Sequence, residues 1–237
     1  VGEIAKAGEK IAGGAGADTL DGGSGDNTAD YSTSGTGVTV DLTVFGAQTS
    51  TGDASGDVLT NIQNLTGSAF ADSLTGDASA NLLLGGGGND TLAGGPGADT
   101  LDGGAGSNTA DYSASSAAVI VNLSSGTASG GDAQGDLLAN IQSIIGSAFD
   151  DLLSGDGNAN SLSGADGNDT LAGGAGADTL DGGSGTNTAD YSSSAAGVTV
   201  NLNVTTAQTS SGDASGDVLT NIQNLVGSAF DDSLTCV

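Results

Sequence analysis

Aspartate or asparagine returns every nine residues along two long stretches of this chain. Position six of successive nine-residue units reads Asp72, Asn81, Asp90, Asp99, Asn108 between residues 67 and 111, and Asp151, Asn160, Asp169, Asp178, Asn187 between 146 and 190. Asp18 and Asn27 hold the same place in a partial run near the start, Asp232 in one near the end, and Glu9 stands in register in a degenerate first unit. Carboxylate and amide oxygens with no nitrogen or sulfur donor beside them make a hard ligand set. Such a set suits Ca²⁺, which takes six or more oxygens in flexible geometry. Mg²⁺ prefers a tighter octahedron that keeps water, and zinc would want His or Cys.

The charge balance points the same way. The 237 residues carry 29 acids against two basic residues, Lys6 and Lys10, for a net charge of -27. Glu occurs only at Glu3 and Glu9, so nearly all the acids are Asp, a turn-forming residue. From Ile11 onward there is no side-chain cation, so carboxylates in that stretch cannot pair internally and repel one another in any compact state. A counter-ion from solution is the missing term. Low aromatic content and 44 glycines suggest disorder by default, yet the 36% apolar residues are periodically placed, which a disordered tail does not need.

The units that carry these oxygens have a clear geometry. Glycines at positions one, two and four (Gly88, Gly97, Gly106, Gly167, Gly176, Gly185 at four) allow a tight turn with its carbonyls exposed to a neighbour. Gly86, Gly88, Gly95, Gly97, Gly174 and Gly176 are the candidate carbonyl donors. The last three residues, such as "TLA" or "TLD", predict a very short strand whose central residue points inward. That position reads Leu74, Leu83, Leu92, Leu101, Ala110, then Leu153, Leu162, Leu171, Leu180, Ala189. A three-residue strand is stable only when stacked on copies of itself about 4.8 Å away. Two units per coil then place every second turn above the last, in a solenoid.

A longer repeat contains the short one. "NTADYS" recurs at Tyr31, Tyr112 and Tyr191, and "GSAF" at Phe70, Phe149 and Phe230. The predicted organisation is a partial cassette over 1–66 (nonapeptides 4–30, insert 31–66), cassettes over 67–145 (67–111, then 112–145) and 146–226 (146–190, then 191–226), and the start of another at 227–237. Within the inserts, "GVTVDLTV" from Gly37 predicts a longer strand burying Val38, Val40 and Leu42. "GDASGDVLT" and "GDAQGDLLA" look like disguised nonapeptides with Asp57, Asp136 and Asp217 at position six and Leu59, Leu138 and Leu219 at position eight. Ile62, Ile141 and Ile222 follow as a second apolar anchor. The inserts are expected to be wider coils of one continuous solenoid; a separate small domain for each is the alternative.

The units resemble the Gly-Gly-x-Gly-x-Asp-x-apolar-x nonapeptide of the RTX (repeats-in-toxin) family. "GGAGADTLD" (13–21 and 173–181) and "GGPGADTLD" (94–102) match it in full. The resemblance implies an all-β, right-handed parallel β-roll or β-helix solenoid with calcium ions between stacked glycine-rich turns, roughly ten ions in about thirteen coils over some 60 Å. Asp18, Asp90, Asp99, Asp169 and Asp178 lead the candidate ligands, with Asn27, Asn108 and Asn187 as neutral partners and Asp72, Asp151, Asp232, Asp57, Asp136 and Asp217 in less regular turns. Glu9 is a weaker candidate. The "GSAF" units put Phe in place of the fourth glycine, and "GDAS" and "GDGN" put Ser79 and Asn158 there, so these turns are expected to differ. The family also implies export by a type I system of a Gram-negative cell, although "DDSLTCV" does not show that system's signal.

Other residues have plainer readings. Tyr31, Tyr112 and Tyr191 are expected to cap the core, with an exposed sugar-stacking row as the alternative, and Phe70, Phe149 and Phe230 to plug it. Thr19, Thr91, Thr100, Thr170 and Thr179 predict outward ranks that solvated β-propensity explains as well as ice binding does. Cys236 allows no internal disulfide. Catalysis is disfavoured: the chain has no His and no Arg, and paired Asp of the glycosidase type recur here with the turns. The charge excludes nucleic acid. No stretch has the length and apolarity of a membrane span, and no signal peptide is visible. The expected role is a secreted or cell-surface structural or adhesive segment that folds on meeting calcium. Self-association end to end, through ends that break inside a cassette, and contacts with surface or matrix glycans are the partners considered beside calcium. The alternatives are the folding and secretion module of an exported enzyme and, more weakly, an ice-binding region.

Overall fold

The computed structural model describes the strand Glu3–Ile4 and residues 8–236. Among them regular structure consists of strands of two or three residues and three 3₁₀ turns, with no α-helix. The chain forms two compact units, one of residues Val1–Asp111 with Gly135–Ile141, the other of Tyr112–Gln134 with Gln142–Val237. Both are built by the same rule: a strand pairs in parallel with the strand two nonapeptides along.

In the first unit, Thr39–Asp41, Ser73–Thr75, Thr91–Ala93 and Thr109–Asp111 form one ladder, in the register Val40, Leu74, Leu92, Ala110. A second ladder runs through Lys10–Ile11, Thr28–Asp30, Asn64–Thr66, Leu82–Leu84, Thr100–Asp102 and Leu137–Ala139, aligning Ala29, Leu65, Leu83, Leu101 and Leu138. A third joins Glu3–Ile4, Thr19–Asp21 and Val58–Thr60. The second unit repeats the scheme with Ile144, Leu162, Leu180 and Leu219 in one ladder and Val121, Leu153, Leu171, Ala189 and Leu225 in another. The position-eight residues of both complete nonapeptide runs are wholly buried. Each such Leu removed from water stabilises the fold by about 1.5–3 kcal/mol. This stack of apolar residues, most of them Leu, is the core of each unit.

Strands of the first and third inserts join these ladders. Val58–Thr60 and Asn64–Thr66 pair with nonapeptide strands, as do their counterparts Val218–Thr220 and Asn224–Val226. Leu59, Leu138, Leu219, Ile62, Ile141 and Ile222 are buried, as their spacing predicts. Not every pairing is parallel: Ile120–Asn122 pairs antiparallel with Thr127–Ser129, and Ala47 makes an antiparallel bridge to Val58.

Two expectations need correction. The long strand predicted from Gly37 is only Thr39–Asp41, and Leu42 is half-buried. The chain turns at Asp41, whose carboxylate accepts the Thr43 N–H and hydroxyl, and Gln48 occupies both backbone groups of Asp41 with its side-chain amide. The phenylalanines do not plug the core: Phe70, Phe149 and Phe230 are 47%, 45% and 56% exposed. In those turns the Ser68 and Ser147 hydroxyls accept the Phe70 and Phe149 N–H groups and also donate to Asp72 and Asp151. Serine and carboxylate fill the inside of the turn, and the ring is left outside. Tyr31, Tyr112 and Tyr191 are buried instead, which removes the basis for a sugar-stacking row.

Candidate metal centre

The glycine at position one makes room for the carboxylate at position six. A Cβ built on Gly85, Gly94, Gly164 or Gly173 would collide with Oδ2 of Asp90, Asp99, Asp169 or Asp178. At positions two and four the requirement is conformational. Gly86 and Gly88 have φ of 98° and 108°, and Gly174 and Gly176 90° and 139°, where side chains other than glycine are strained. Gly97, after Pro96, is the exception among fourth-position glycines and lies outside that region. The turns stack closely enough that a Cβ on Gly106 would strike the Gly88 carbonyl, and the Gly86 carbonyl accepts the Ala105 N–H at 2.9 Å.

Each position-six side chain reaches back to the preceding coil. Oδ1 of Asp90, Asp99, Asp169 and Asp178 accepts the backbone N–H of the residue eighteen positions earlier at 2.8–2.9 Å. The second oxygen is what separates these turns from the rest. Oδ2 of Asp90, Asp169 and Asp178 is buried without a hydrogen-bond partner, and the Oδ2 atoms of Asp18 and Asp99 are buried in the same place. A buried carboxylate oxygen left without a donor or cation is unfavourable by at least 1–3 kcal/mol. Burial raises the Asp90 and Asp169 carboxyls to about 6 and Asp178 to about 7; backbone N–H bonds oppose the rise, and neighbouring carboxylates such as Asp72, Asp151 and Asp217 add to it.

The other candidates meet different partners. Asp72 and Asp151 have both oxygens bonded, one to the Ser68 or Ser147 N–H, the other to the serine hydroxyl and the Val38 or Val119 N–H. Asp57 and Asp217 each accept a backbone N–H on Oδ1 and a tyrosine hydroxyl on Oδ2. Asp136 is buried and accepts the Asp99 N–H at 2.8 Å. Asp232 is exposed, bonded to the Val198 N–H and the Ser228 hydroxyl, and the Glu9 side chain is exposed. Asn27, Asn108 and Asn187 accept on Oδ1 and donate through Nδ2 to the carbonyls of Asn61, Asn140 and Asn221.

The insert residues in this last contact escape a search for nine-residue periodicity. Asn61, Asn140 and Asn221 hold left-handed φ of 54–55°, and their amides donate to Asp21, Asp102 and Asp181 at 2.6–2.7 Å. Gln63 and Gln223 accept the Asn27 and Asn187 N–H groups. The signal was present as "NIQ" at the same place in each insert. Near the start, Lys10 lies 3.3 Å from Asp30.

Among the described residues no three carboxylate, imidazole or thiolate groups converge on one point. An ion held in these turns would have one or two carboxylate oxygens at hand and would need glycine-turn carbonyls and water for the rest, which a large oxygen-seeking cation accepts. The donor set fits Ca²⁺. A family model described as the RTX calcium-binding nonapeptide repeat, in four copies, matches residues 8–31, 62–92, 75–110, 141–171 and 154–189, together more than half of the chain. No curated protein matches it.

Proposed function

Since the chain belongs to the RTX calcium-binding nonapeptide-repeat family, we propose that it is a calcium-dependent structural segment of a protein that works outside the cell or on its surface. Calcium between the glycine-rich turns takes the place of the cations the sequence lacks. Asp90, Asp169 and Asp178, with Asp18 and Asp99, are the leading side-chain ligands, and the carbonyls of Gly86, Gly88, Gly95, Gly97, Gly174 and Gly176 complete the cages. The reading rests on one observation above others: the second carboxylate oxygen of Asp90, Asp169 and Asp178 is buried with nothing to satisfy it.

The energetics give the segment a switch. With dissociation constants of roughly 0.1–1 mM, the range of extracellular calcium modules, a tenfold excess of ion contributes about 1.4 kcal/mol per site. Five such sites give about 7 kcal/mol, within the whole stability of an ordinary domain, about 5–15 kcal/mol. In a compartment poor in calcium the chain stays extended, and where calcium is millimolar it folds. RTX repeats are typical of secreted bacterial proteins, and among the described residues no helix is long and apolar enough to cross a membrane. The β-roll is a structural repeat, not a catalytic fold, and supports a stalk, matrix or adhesive role, with copies of itself or surface glycans as partners.

Limited proteolysis tests the proposal. In chelator, or in magnesium alone, the chain is expected to be digested at least tenfold faster than in about 1–10 mM calcium. Equal resistance in all three conditions would refute a calcium-dependent fold.

A further inference from the structure

The turns at Asp57 and Asp217 have the position-six carboxylate of the family motif but not its surroundings. Asp57 Oδ1 accepts the Asp18 N–H at 2.8 Å, and Oδ2 accepts the Tyr31 hydroxyl at 3.1 Å. Asp217 does the same with the Asp178 N–H at 2.9 Å and the Tyr191 hydroxyl at 2.8 Å. All four side chains are buried. The oxygen that stands unbonded in the Asp90, Asp169 and Asp178 turns is thus already satisfied here by a neutral donor within the fold.

The backbone of these turns differs too. Where a nonapeptide places its glycines, the inserts form 3₁₀ turns, Gly52–Ala54 and Gly212–Ala214, which bury Ala54 and Ala214. Their carbonyls are used locally: Gly52 O accepts the Ser55 N–H and Gly212 O the Ser215 N–H, both at 3.2 Å. Position four is Ser55 or Ser215 in extended conformation, in place of a glycine at positive φ. The glycine-rich turn backbone is replaced here by a 3₁₀ turn, and a phenol already holds the carboxylate.

We infer that these two turns are calcium-free clasps, in which the Tyr31 and Tyr191 hydroxyls take the part that an ion plays in the glycine-rich turns. The inference rests on the calcium reading of the nonapeptide turns and adds which carboxylates are withheld from the metal. A pattern search that counts position-six aspartates counts Asp57 and Asp217 as sites; the hydrogen bonding removes them. Each clasp joins residues 26 apart in sequence, Tyr31 to Asp57 and Tyr191 to Asp217, and so closes its insert without metal. Each unit then holds one insert closed without the ion beside glycine-rich turns that need it.

Metal analysis of calcium-equilibrated, desalted protein tests this, with far-UV circular dichroism confirming that each variant folds. Asp57→Asn with Asp217→Asn should leave the number of bound ions unchanged, because the amide oxygen can still accept the backbone N–H and the amide NH₂ can donate to the tyrosine hydroxyl oxygen. Asp90→Asn with Asp169→Asn should lower it by at least one ion per chain. Loss of ions from the first pair as from the second overturns the inference. Loss from neither pair overturns the calcium reading beneath it and takes the inference with it. Should D57N/D217N fail to fold, Tyr31→Phe with Tyr191→Phe keeps both carboxylates and removes their donors. Its ion count is then expected at or above that of the parent, and its midpoint calcium for folding at least threefold higher. An unchanged calcium requirement would overturn the clasp.

Discussion

Replacing Asp90, Asp169 and Asp178 together by Asn should have opposite effects with and without calcium. Each carboxyl is raised from the ordinary 3.8 to about 6, 6 and 7, with burial the largest cause. At about 1.4 kcal/mol per pH unit, these shifts correspond to at most about 3–4 kcal/mol of strain per carboxylate in the calcium-free fold. Solvent relaxation reduces this to about 1–2 kcal/mol each, or about 3–6 kcal/mol for the three. Asparagine removes the charge at nearly constant shape, and Asn27 shows how its amide fits, with Nδ2 donating to the carbonyl of Gly25 in its own turn at 3.0 Å. The assay is far-UV circular dichroism along a trimethylamine N-oxide titration in chelator near neutral pH, where the osmolyte drives folding without metal. The triple variant should fold at a lower osmolyte concentration than the parent. In saturating calcium the order should reverse under urea, since each lost ligand charge weakens its ion by about tenfold or more, about 1.4 kcal/mol. A variant that is less stable than the parent in both conditions would refute the reasoning.

Four further outcomes follow from the same geometry. For Asp90, Asp169 and Asp178 the folded pKa lies above the unfolded one, so the folded state binds protons more tightly between about pH 4 and 7. Osmolyte-supported folding in chelator should accordingly be easiest near pH 4 and lose about 1–2 kcal/mol per carboxylate as pH rises to 7. In calcium, the midpoint concentration for folding should instead climb as pH falls below about 6, because protons compete for the same oxygens. Gly173→Ala, whose Cβ would collide with the Asp178 carboxylate, should lower stability in calcium by about 1–3 kcal/mol, whereas Gly157→Ala, with nothing within 4 Å, should stay within about 0.5 kcal/mol; urea melts compare the two. Ala165 occupies a second-glycine position at φ 71°, so Ala165→Gly should raise stability by about 0.5–1 kcal/mol in the same assay.

The nonapeptide runs were legible because their information is local and periodic. Every ninth residue had to face inward, and Leu74 through Leu101 and Leu153 through Leu180 do. The best-matched turns include those of Asp90, Asp169 and Asp178, whose Oδ2 is buried without a donor, and the first-position glycine that the motif requires makes room for that oxygen. The inserts were legible only in part. Leu59 and Ile62 showed as apolar anchors, but the Tyr31–Asp57 bond and the Asn61–Asp21 bond join residues 26 and 40 apart, neither a multiple of nine, so the short period does not reveal them. Phe70 misled because aromatic character was read as burial. A turn whose interior is already filled by Ser68 and Asp72 has no space for a ring, and that follows from hydrogen bonds the residue types alone do not reveal.

The most direct test of the central claim is a far-UV circular dichroism titration of calcium into chelator-stripped chain, with magnesium in parallel. The account predicts a cooperative change from coil to β near millimolar calcium and none with magnesium. A β spectrum already present in chelator and unchanged by calcium would contradict it.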